Sequence, residues 1–183
     1  MIALFEAVIR EAVSDFDAGE ERRAAKWAKR KHDDTGAKRK ASGDDYWVHP
    51  EGCAKIAKAY GASRQEILAC MAHDTVEDAG ATIEDIEDRF GSQVAEIVAE
   101  CTNDPIELER QGKETYLNLK MEFMSPRALT VKLCDVLYNM TDRPKPDQRE
   151  RMMRNVRYMA QSRELTPLHR ELLSAISTAY KKR

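Results

Sequence analysis

The sequence has few of the features that mark secreted, membrane or nucleic-acid-binding proteins. Its four cysteines include no CxxC pair, which argues against a disulfide framework or a thiolate zinc site and leaves them as buried small side chains. The formal net charge of −2 is too small for a general attraction to nucleic acid or membranes. No apolar run approaches the roughly 20 residues that cross a bilayer. A cytoplasmic protein without membrane segments is expected, and nucleic-acid binding is not.

The chain also lacks a signal peptide pattern and the alternation that indicates β-strands. Charged residues interrupt the opening "MIALFEAVIREAV", which therefore predicts an amphipathic helix over Ile2–Ala18. Helical periodicity covers nearly all of the remaining chain, and capping residues divide it. Ser63, for example, is followed three residues later by Glu66, as in a capping box. The pattern predicts one all-α domain over residues 1–183, a bundle of about eight to ten helices.

A dense polar group follows an apolar run in "LACMAHDTVEDAG". On a continuous helix, His73 lies one turn before Glu77, and Asp74 lies one turn before Asp78. The four side chains would then form one compact polar patch. Such a patch could hold a reacting group, but an ordinary solvated helix face has the same composition.

A second helix, "RALTVKLCDVLYNMTD", is apolar around most of its circumference. Its polar residues form one narrow stripe made of Lys132, Asp135, Asn139 and Asp142. A surface helix normally has a wide polar face, so the narrow stripe predicts a buried helix that lines a polar site. Because an unpaired buried carboxylate is costly, these carboxylates should meet a cation, which is either a metal ion or an ion-pair partner such as Lys132.

A histidine before proline supplies a third element of the site. His49 precedes Pro50 at the entry of a helix, where its side chain is rigidly placed. Lone histidines are usually structural, but His49, His73, Asp74 and Asp135 together are a suitable ligand set for one divalent ion. Imidazole and carboxylate ligands suit manganese or iron better than zinc or magnesium.

Three segments carry a resemblance to a known family: "HPEGCAKIAKAYGASRQEILACMAHDTVED", "FGSQVAEIVAECT" and "VKLCDVLYNMTD". They resemble the HD-domain hydrolases of the RelA/SpoT type, and in particular the stand-alone small alarmone hydrolases, over residues from about Ala24 to Asp142. The resemblance implies an HD-domain helical bundle in which His49, His73, Asp74 and Asp135 bind one manganese ion per chain.

The same resemblance implies an activity. Glu77 and Asp78 would position and activate the water that attacks phosphorus. The substrate would be a small-molecule nucleotide, ppGpp or pppGpp, from which the 3′-pyrophosphate is removed to leave GDP or GTP. A residue able to take the proton of the attacking water is consistent with this chemistry.

Substrate contacts are expected from the basic loop "AKRKASG" and from the polar helix. Arg39, Lys40 and Ser42 would bind phosphates, and Asn139 would hydrogen-bond the ribose or base. The loop could equally be a solvated run of charge. His169 carries no comparable signal and is expected at the surface.

The chain departs from the family pattern near the expected substrate site. Asp45 replaces a proline, and Ala41, Asn103 and Val136 stand where basic residues are common. Hydrolysis is therefore predicted more firmly than alarmone specificity. Two alternatives stay open: the same site acting on a nucleoside phosphate or NADPH, and a non-catalytic module that binds alarmone. The sequence also leaves a homo-oligomer open.

Overall fold

The structure is a computed structural model that describes residues 19–40 and 42–181. These residues form helices joined by short loops, and no strand occurs among them beyond an isolated bridge between Lys38 and Asp45. The predicted helix over Ile2–Ala18 and the departure at Ala41 lie outside the described residues. The helices are α1 Glu20–Asp33, α2 Val48–Ala59, α3 Arg64–Ala72, α4 Thr75–Asp78, α5 Ile83–Phe90, α6 Ser92–Cys101, α7 Pro105–Gln111, α8 Lys113–Phe123, α9 Pro126–Thr141, α10 Pro146–Ser162 and α11 Pro167–Lys181.

The all-α prediction is confirmed, with eleven helices in the described part of the chain. This exceeds the expected eight to ten because two short helices, α4 and α7, were not predicted. The sequence does carry a signal for α7, since the Asp104 side chain accepts hydrogen bonds from the backbone N–H groups of Ile106 and Glu107, and Pro105 occupies the first turn. Over the described residues, no helix is both long enough and apolar enough to span a membrane.

Helix α9 is the central element of the core, as its narrow polar stripe predicted. It packs against α2, α3, α6 and α11, and ten of its residues are buried. At the crossing of α2 and α9 the backbones approach closely, because Gly52 has no side chain. A Cβ atom at Gly52 would overlap the ring of Tyr138. This close crossing brings His49 on α2 to Asp135 on α9.

His169 is buried, contrary to the expectation that it lies at the surface. It is 1% exposed, and its Nε2 lies 2.9 Å from the Pro126 carbonyl oxygen at the start of α9. This contact ties α11 to the first turn of α9. The sequence expectation failed because a polar residue at a helix start looks the same whether its partner is water or a distant carbonyl.

The loop between α1 and α2 folds back on itself. The Arg39 N–H donates to the Asp44 carbonyl (2.8 Å), and the Tyr46 N–H donates to the Ala37 carbonyl (3.1 Å). Asp45, which stands where the resembling family has proline, forms an ion pair with Lys38 across this turn. The ion pair and the backbone bonds therefore constrain the loop in place of a proline ring.

Candidate active site

The motif around His73 is not one continuous helix, which corrects the arrangement expected from the sequence. Helix α3 ends at Ala72, and α4 begins at Thr75. Two side chains satisfy carbonyls of the last turn of α3: His73 Nδ1 lies 2.7 Å from the Cys70 oxygen, and the Thr75 hydroxyl donates to the Ala72 oxygen at 2.7 Å. The break at His73 and Asp74 turns these two side chains into the space between α2 and α9.

The contact with Cys70 sets the tautomer of His73. A carbonyl oxygen can only accept, so Nδ1 carries the proton and Nε2 carries the lone pair. Nε2 is buried without a hydrogen-bond partner, although Asp74 Oδ1 lies 3.0 Å from it. A buried lone pair with no donor beside it suits a metal ligand, and metal-bound histidines commonly donate their other N–H to a carbonyl in this way.

Donor atoms of the four predicted metal ligands converge at this place. His49 Nε2 lies 3.2 Å from Asp74 Oδ2 and 3.2 Å from Asp135 Oδ1. The rings of His49 and His73 are 5.2 Å apart, centroid to centroid. His49 and His73 are buried, with 2% and 5% of their side chains exposed, and Asp74 is the most accessible of the four at 17%. The residues therefore fit a divalent ion.

Neighbouring side chains keep the two carboxylates of the centre ionised despite their burial. Burial favours the neutral acid in both, but the neighbouring His73 and His49 lower the pKa of Asp74, and the charge of Lys132 together with a His49 hydrogen bond lowers that of Asp135. Burial opposes protonation of His49, yet contacts with Cys53, Asp135 and Asp74 raise its pKa well above the usual range. A divalent ion bound to His49 would replace its proton between the same two carboxylates.

Lys132 pairs with Asp135, as the ion-pair alternative anticipated, but within one helix. Its Nζ donates to Asp135 Oδ2 at 2.7 Å, while Oδ1 faces His49. One carboxylate oxygen is thus held by the lysine and the other faces the centre. The ion pair and a metal site are therefore compatible, because Lys132 orients the ligand without occupying the oxygen that points at His49.

Asn139 links the centre to the basic loop. Its Nδ2 donates to Asp135 Oδ1, and its Oδ1 accepts from Arg39 Nη2 at 2.7 Å. Arg39 in turn donates from Nε and Nη2 to Asp142 Oδ2 at 2.9 and 2.7 Å. Asn139 was expected to bind the ribose or base, but in the structure its amide holds a predicted ligand on one side and a predicted phosphate-binding residue on the other.

Glu77 and Asp78 lie at the mouth of the site and are exposed. The Asn103 backbone N–H donates to Glu77 Oε1 at 2.6 Å, and Asn103 Nδ2 donates to Oε2 at 3.2 Å. Asn103, one of the departures from the family pattern, therefore orients Glu77. An exposed but oriented carboxylate can hold a water molecule and accept its proton.

Tyr46 is a site residue that the sequence did not single out. Its hydroxyl donates to Asp74 Oδ2 at 3.0 Å, and its ring packs beside the buried His32 ring, 5.0 Å away between centroids. Burial and the negative charges of Asp74 and Asp78 raise the pKa of Tyr46, so it stays a donor. In the sequence Tyr46 lies only three residues before His49, and nothing local indicates that its hydroxyl reaches Asp74.

The centre opens into a cavity of about 580 Å³, within the usual range for a small-molecule site. Its lining includes the predicted ligands His49, Asp74 and Asp135 together with Glu77 and Asp78, a group called the metal end below; His73 is not among the lining residues. Basic residues, among them the predicted Arg39 and Lys40, line it as well and form the group called the basic end. Ser42 is not among the lining residues: it is exposed and accepts from the Asp44 N–H at 3.4 Å. The basic lining residues are Lys38, Arg39, Lys40, Lys113, Lys132 and Arg151.

Two of these basic residues come from helices that the motifs do not include. Lys113 begins α8 and Arg151 lies on α10. Burial and the nearby positive charges of Arg151 and Lys132 lower the pKa of Lys113, while the charges of Glu77 and Asp135 oppose this shift. Val136 also lines the cavity, at a position where a basic residue is common in the family. Lys113 on α8 and Arg151 on α10 add positive charge to the same cavity.

The match to a family model decides the classification. The model described as "HD domain" matches residues 24–161. The chain belongs to the HD domain family. The chain is similar to a guanosine-3′,5′-bis(diphosphate) 3′-pyrophosphohydrolase of Aquifex aeolicus. The two are 34% identical over 125 residues, which make up 67% of this chain and 18% of that protein.

Two further relatives are shorter proteins. The Homo sapiens guanosine-3′,5′-bis(diphosphate) 3′-pyrophosphohydrolase MESH1 is 36% identical over 122 residues, which cover 65% of this chain and 66% of that protein. A solved structure of a metazoan orthologue of SpoT, described as hydrolysing ppGpp, superposes with a TM-score of 0.71 at 25% identity and covers 91% of this chain and 98% of that chain. The HD-domain fold expected from the sequence is confirmed.

Proposed function

We propose that this HD-domain chain is a manganese-dependent hydrolase that removes the 3′-pyrophosphate of ppGpp and pppGpp. The observation that carries the proposal is the convergence of His49, His73, Asp74 and Asp135 beside a cavity that several basic residues also line. The relatives whose names state this activity support it. The chain spans only part of the length of these relatives, so the activity is a proposal for this protein.

The four converging residues would hold the metal. Two imidazoles and two carboxylates form a nitrogen and oxygen set that suits manganese, and the unpartnered His73 Nε2 supports occupancy by a cation. When bound, the ion would acidify a water molecule and offset phosphate charge. Lys132 and Asn139 hold Asp135, and Tyr46 holds Asp74, so both carboxylates are oriented before any ligand arrives.

Glu77 and Asp78 would orient the attacking water and accept its proton. A water molecule that attacks the phosphorus on the ribose 3′ oxygen must lose a proton as the new P–O bond forms and the bond to the 3′ oxygen breaks. An oriented carboxylate can accept that proton, and the 3′ oxygen takes up a proton as it leaves as a hydroxyl. Glu77 accepts two hydrogen bonds from Asn103, whereas Asp78 shares the Tyr46 hydroxyl with Asp74. Glu77 is therefore the better candidate for orienting the water.

The basic end of the cavity would bind the polyphosphate. Lys38, Arg39 and Lys40 come from the loop after α1, and Lys113 and Arg151 approach from α8 and α10. Arg39 is already paired with Asp142, so it acts as a fixed donor, while Lys113 lies near the positive charges of Arg151 and Lys132, which a phosphate would offset. Ser42 stays a prediction as a phosphate contact.

A product analysis tests the proposal. Protein freed of metal by a chelator and reloaded with manganese should convert ppGpp to GDP and pyrophosphate, as separated by ion-exchange chromatography, and the chelated protein should not. Inert ppGpp together with orthophosphate release from NADPH or a nucleoside monophosphate would reject the alarmone assignment in favour of another nucleotide. Tight ppGpp binding with no reaction on any of them would indicate the non-catalytic module.

A further inference from the structure

Cys53 lies beside the proposed metal centre, although the sequence indicated only a buried small side chain. It follows His49 by one turn of α2 and is fully buried. Its Sγ atom lies 3.7 Å from His49 Nδ1 and 3.9 Å from His49 Nε2. A thiol in van der Waals contact with a proposed ligand is a potential donor to the same ion.

The sulfur also lies within reach of two other ligands. One donor atom each from His49, Cys53, His73 and Asp135 lies within 4.8 Å of the other three. In a tetrahedral zinc site, with Zn–N of about 2.0 Å and Zn–S of about 2.3 Å, the nitrogen and sulfur ligands are about 3.5 Å apart. The distances between Cys53 and His49 are close to that value, and all four donor atoms lie within 4.8 Å of one another, so the group can contract around one ion.

We infer that Cys53 is a ligand for thiophilic divalent ions, and that zinc or cadmium binds this centre through His49, Cys53, His73 and Asp135. The inference rests on the proposed metal centre. Sulfur is a soft donor that selects zinc and cadmium over manganese, whereas Asp74 is a hard donor that suits manganese. The centre thus contains two overlapping ligand sets, which share three residues and differ in Cys53 and Asp74.

The two sets have different consequences for catalysis. When the sulfur binds, the thiol proton passes to solvent and four protein ligands close a tetrahedron, as in structural zinc sites. A closed set leaves no position for a water molecule. The manganese form, with Asp74 as ligand and Cys53 protonated, keeps room for water because manganese accepts six ligands. Zinc is therefore expected to displace manganese and to hold the protein inactive.

Spectroscopy on the full-length protein tests this independently of activity. Metal-free protein is loaded with cobalt(II), bound metal is measured by elemental analysis, and a thiolate-to-cobalt charge-transfer band is sought in the near ultraviolet. The band is expected in the wild type and in Cys101→Ser, a matched control that changes another buried cysteine, and not in Cys53→Ser. X-ray absorption on the zinc-loaded wild type needs no variant and should show one sulfur at about 2.3 Å.

A competition measurement gives the size of the effect. Manganese-loaded protein is titrated with zinc, and the release of manganese is followed by electron paramagnetic resonance. The zinc concentration needed should rise at least about 10-fold in Cys53→Ser, the lower end of what the loss of a supporting residue costs a metal site. It should not change in Cys101→Ser.

The possible results separate the two proposals. If the wild type binds neither manganese nor cobalt nor zinc, the metal centre itself is rejected, whereas binding of manganese alone rejects only the inference about Cys53. If it binds one ion per chain without a sulfur signal, or if Cys53→Ser keeps the charge-transfer band, only the role of Cys53 is rejected. A sulfur signal that disappears equally in Cys101→Ser would also overturn the assignment to Cys53.

Discussion

The two ends of the cavity are built in different ways. At the metal end, His49, His73 and Asp135 are buried on or beside packed helices, and contacts with Cys70 and Lys132 orient His73 and Asp135. At the basic end, Lys38 and Lys40 come from a loop and are more exposed. The difference indicates that the chemistry of the site is specified by the core, whereas substrate preference depends on residues that can change without disturbing the core.

The largest expected effect comes from removing a donor at the metal end. Asp74→Ala removes the carboxylate that faces both histidines, and manganese affinity should fall by about 100-fold or more. The loss of a residue that only supports a ligand already lowers metal affinity by about 10- to 100-fold. Equilibrium dialysis with metal analysis measures this. Asp88→Ala, which changes an exposed acid on α5, should bind manganese as the wild type does. Unchanged stoichiometry and affinity in Asp74→Ala would remove Asp74 from the ligand set.

Glu77→Gln tests whether Glu77 acts on the attacking water and not on the metal. The amide keeps the size of the side chain but cannot accept a proton, so turnover should fall by ~10²–10⁴-fold while manganese binding is unchanged. Steady-state kinetics and metal analysis on the same preparation measure both. Glu84→Gln, an exposed glutamate on α5, is the control and should retain full turnover. Near wild-type turnover in Glu77→Gln would place the proton acceptor elsewhere.

Asn139→Ala tests whether the two ends are coupled. Its amide joins Asp135 to Arg39, so its loss should weaken manganese binding by about 10-fold and also raise KM. If Asn139 only contacted the ribose or base, KM would rise and manganese affinity would not change. The two measurements therefore distinguish a linking residue from a substrate contact.

The smallest effects are expected at the basic end. Lys113→Ala and Arg151→Ala each remove one charge from a cluster of several, so each should raise KM by about 10-fold, near 1.4 kcal/mol, with little loss of kcat. Steady-state kinetics with ppGpp measure the change, and Arg170→Ala on the outer side of α11 is the control. A fall in kcat without a change in KM would mean that these cations act on the reaction and not on binding.

The sequence alone determined the parts of the protein that depend on local patterns. The capping box of Ser63 and Glu66 forms as predicted, because both partners lie within one turn. The narrow polar stripe correctly predicted that α9 is buried, since a helix exposes its residues in a fixed angular order. The chemical types of His49, His73, Asp74 and Asp135 likewise indicated a metal site before their positions were known.

Tertiary structure alone decided which partners these residues meet. Nothing local shows that the helix breaks at His73, that Asn139 uses both ends of its amide, or that Lys113 and Arg151 reach the cavity from other helices. Cys53 looked like an ordinary core residue for the same reason. Contacts between residues far apart in the chain depend on how helices pack, and packing is set by the whole core, so no short segment of sequence contains that information.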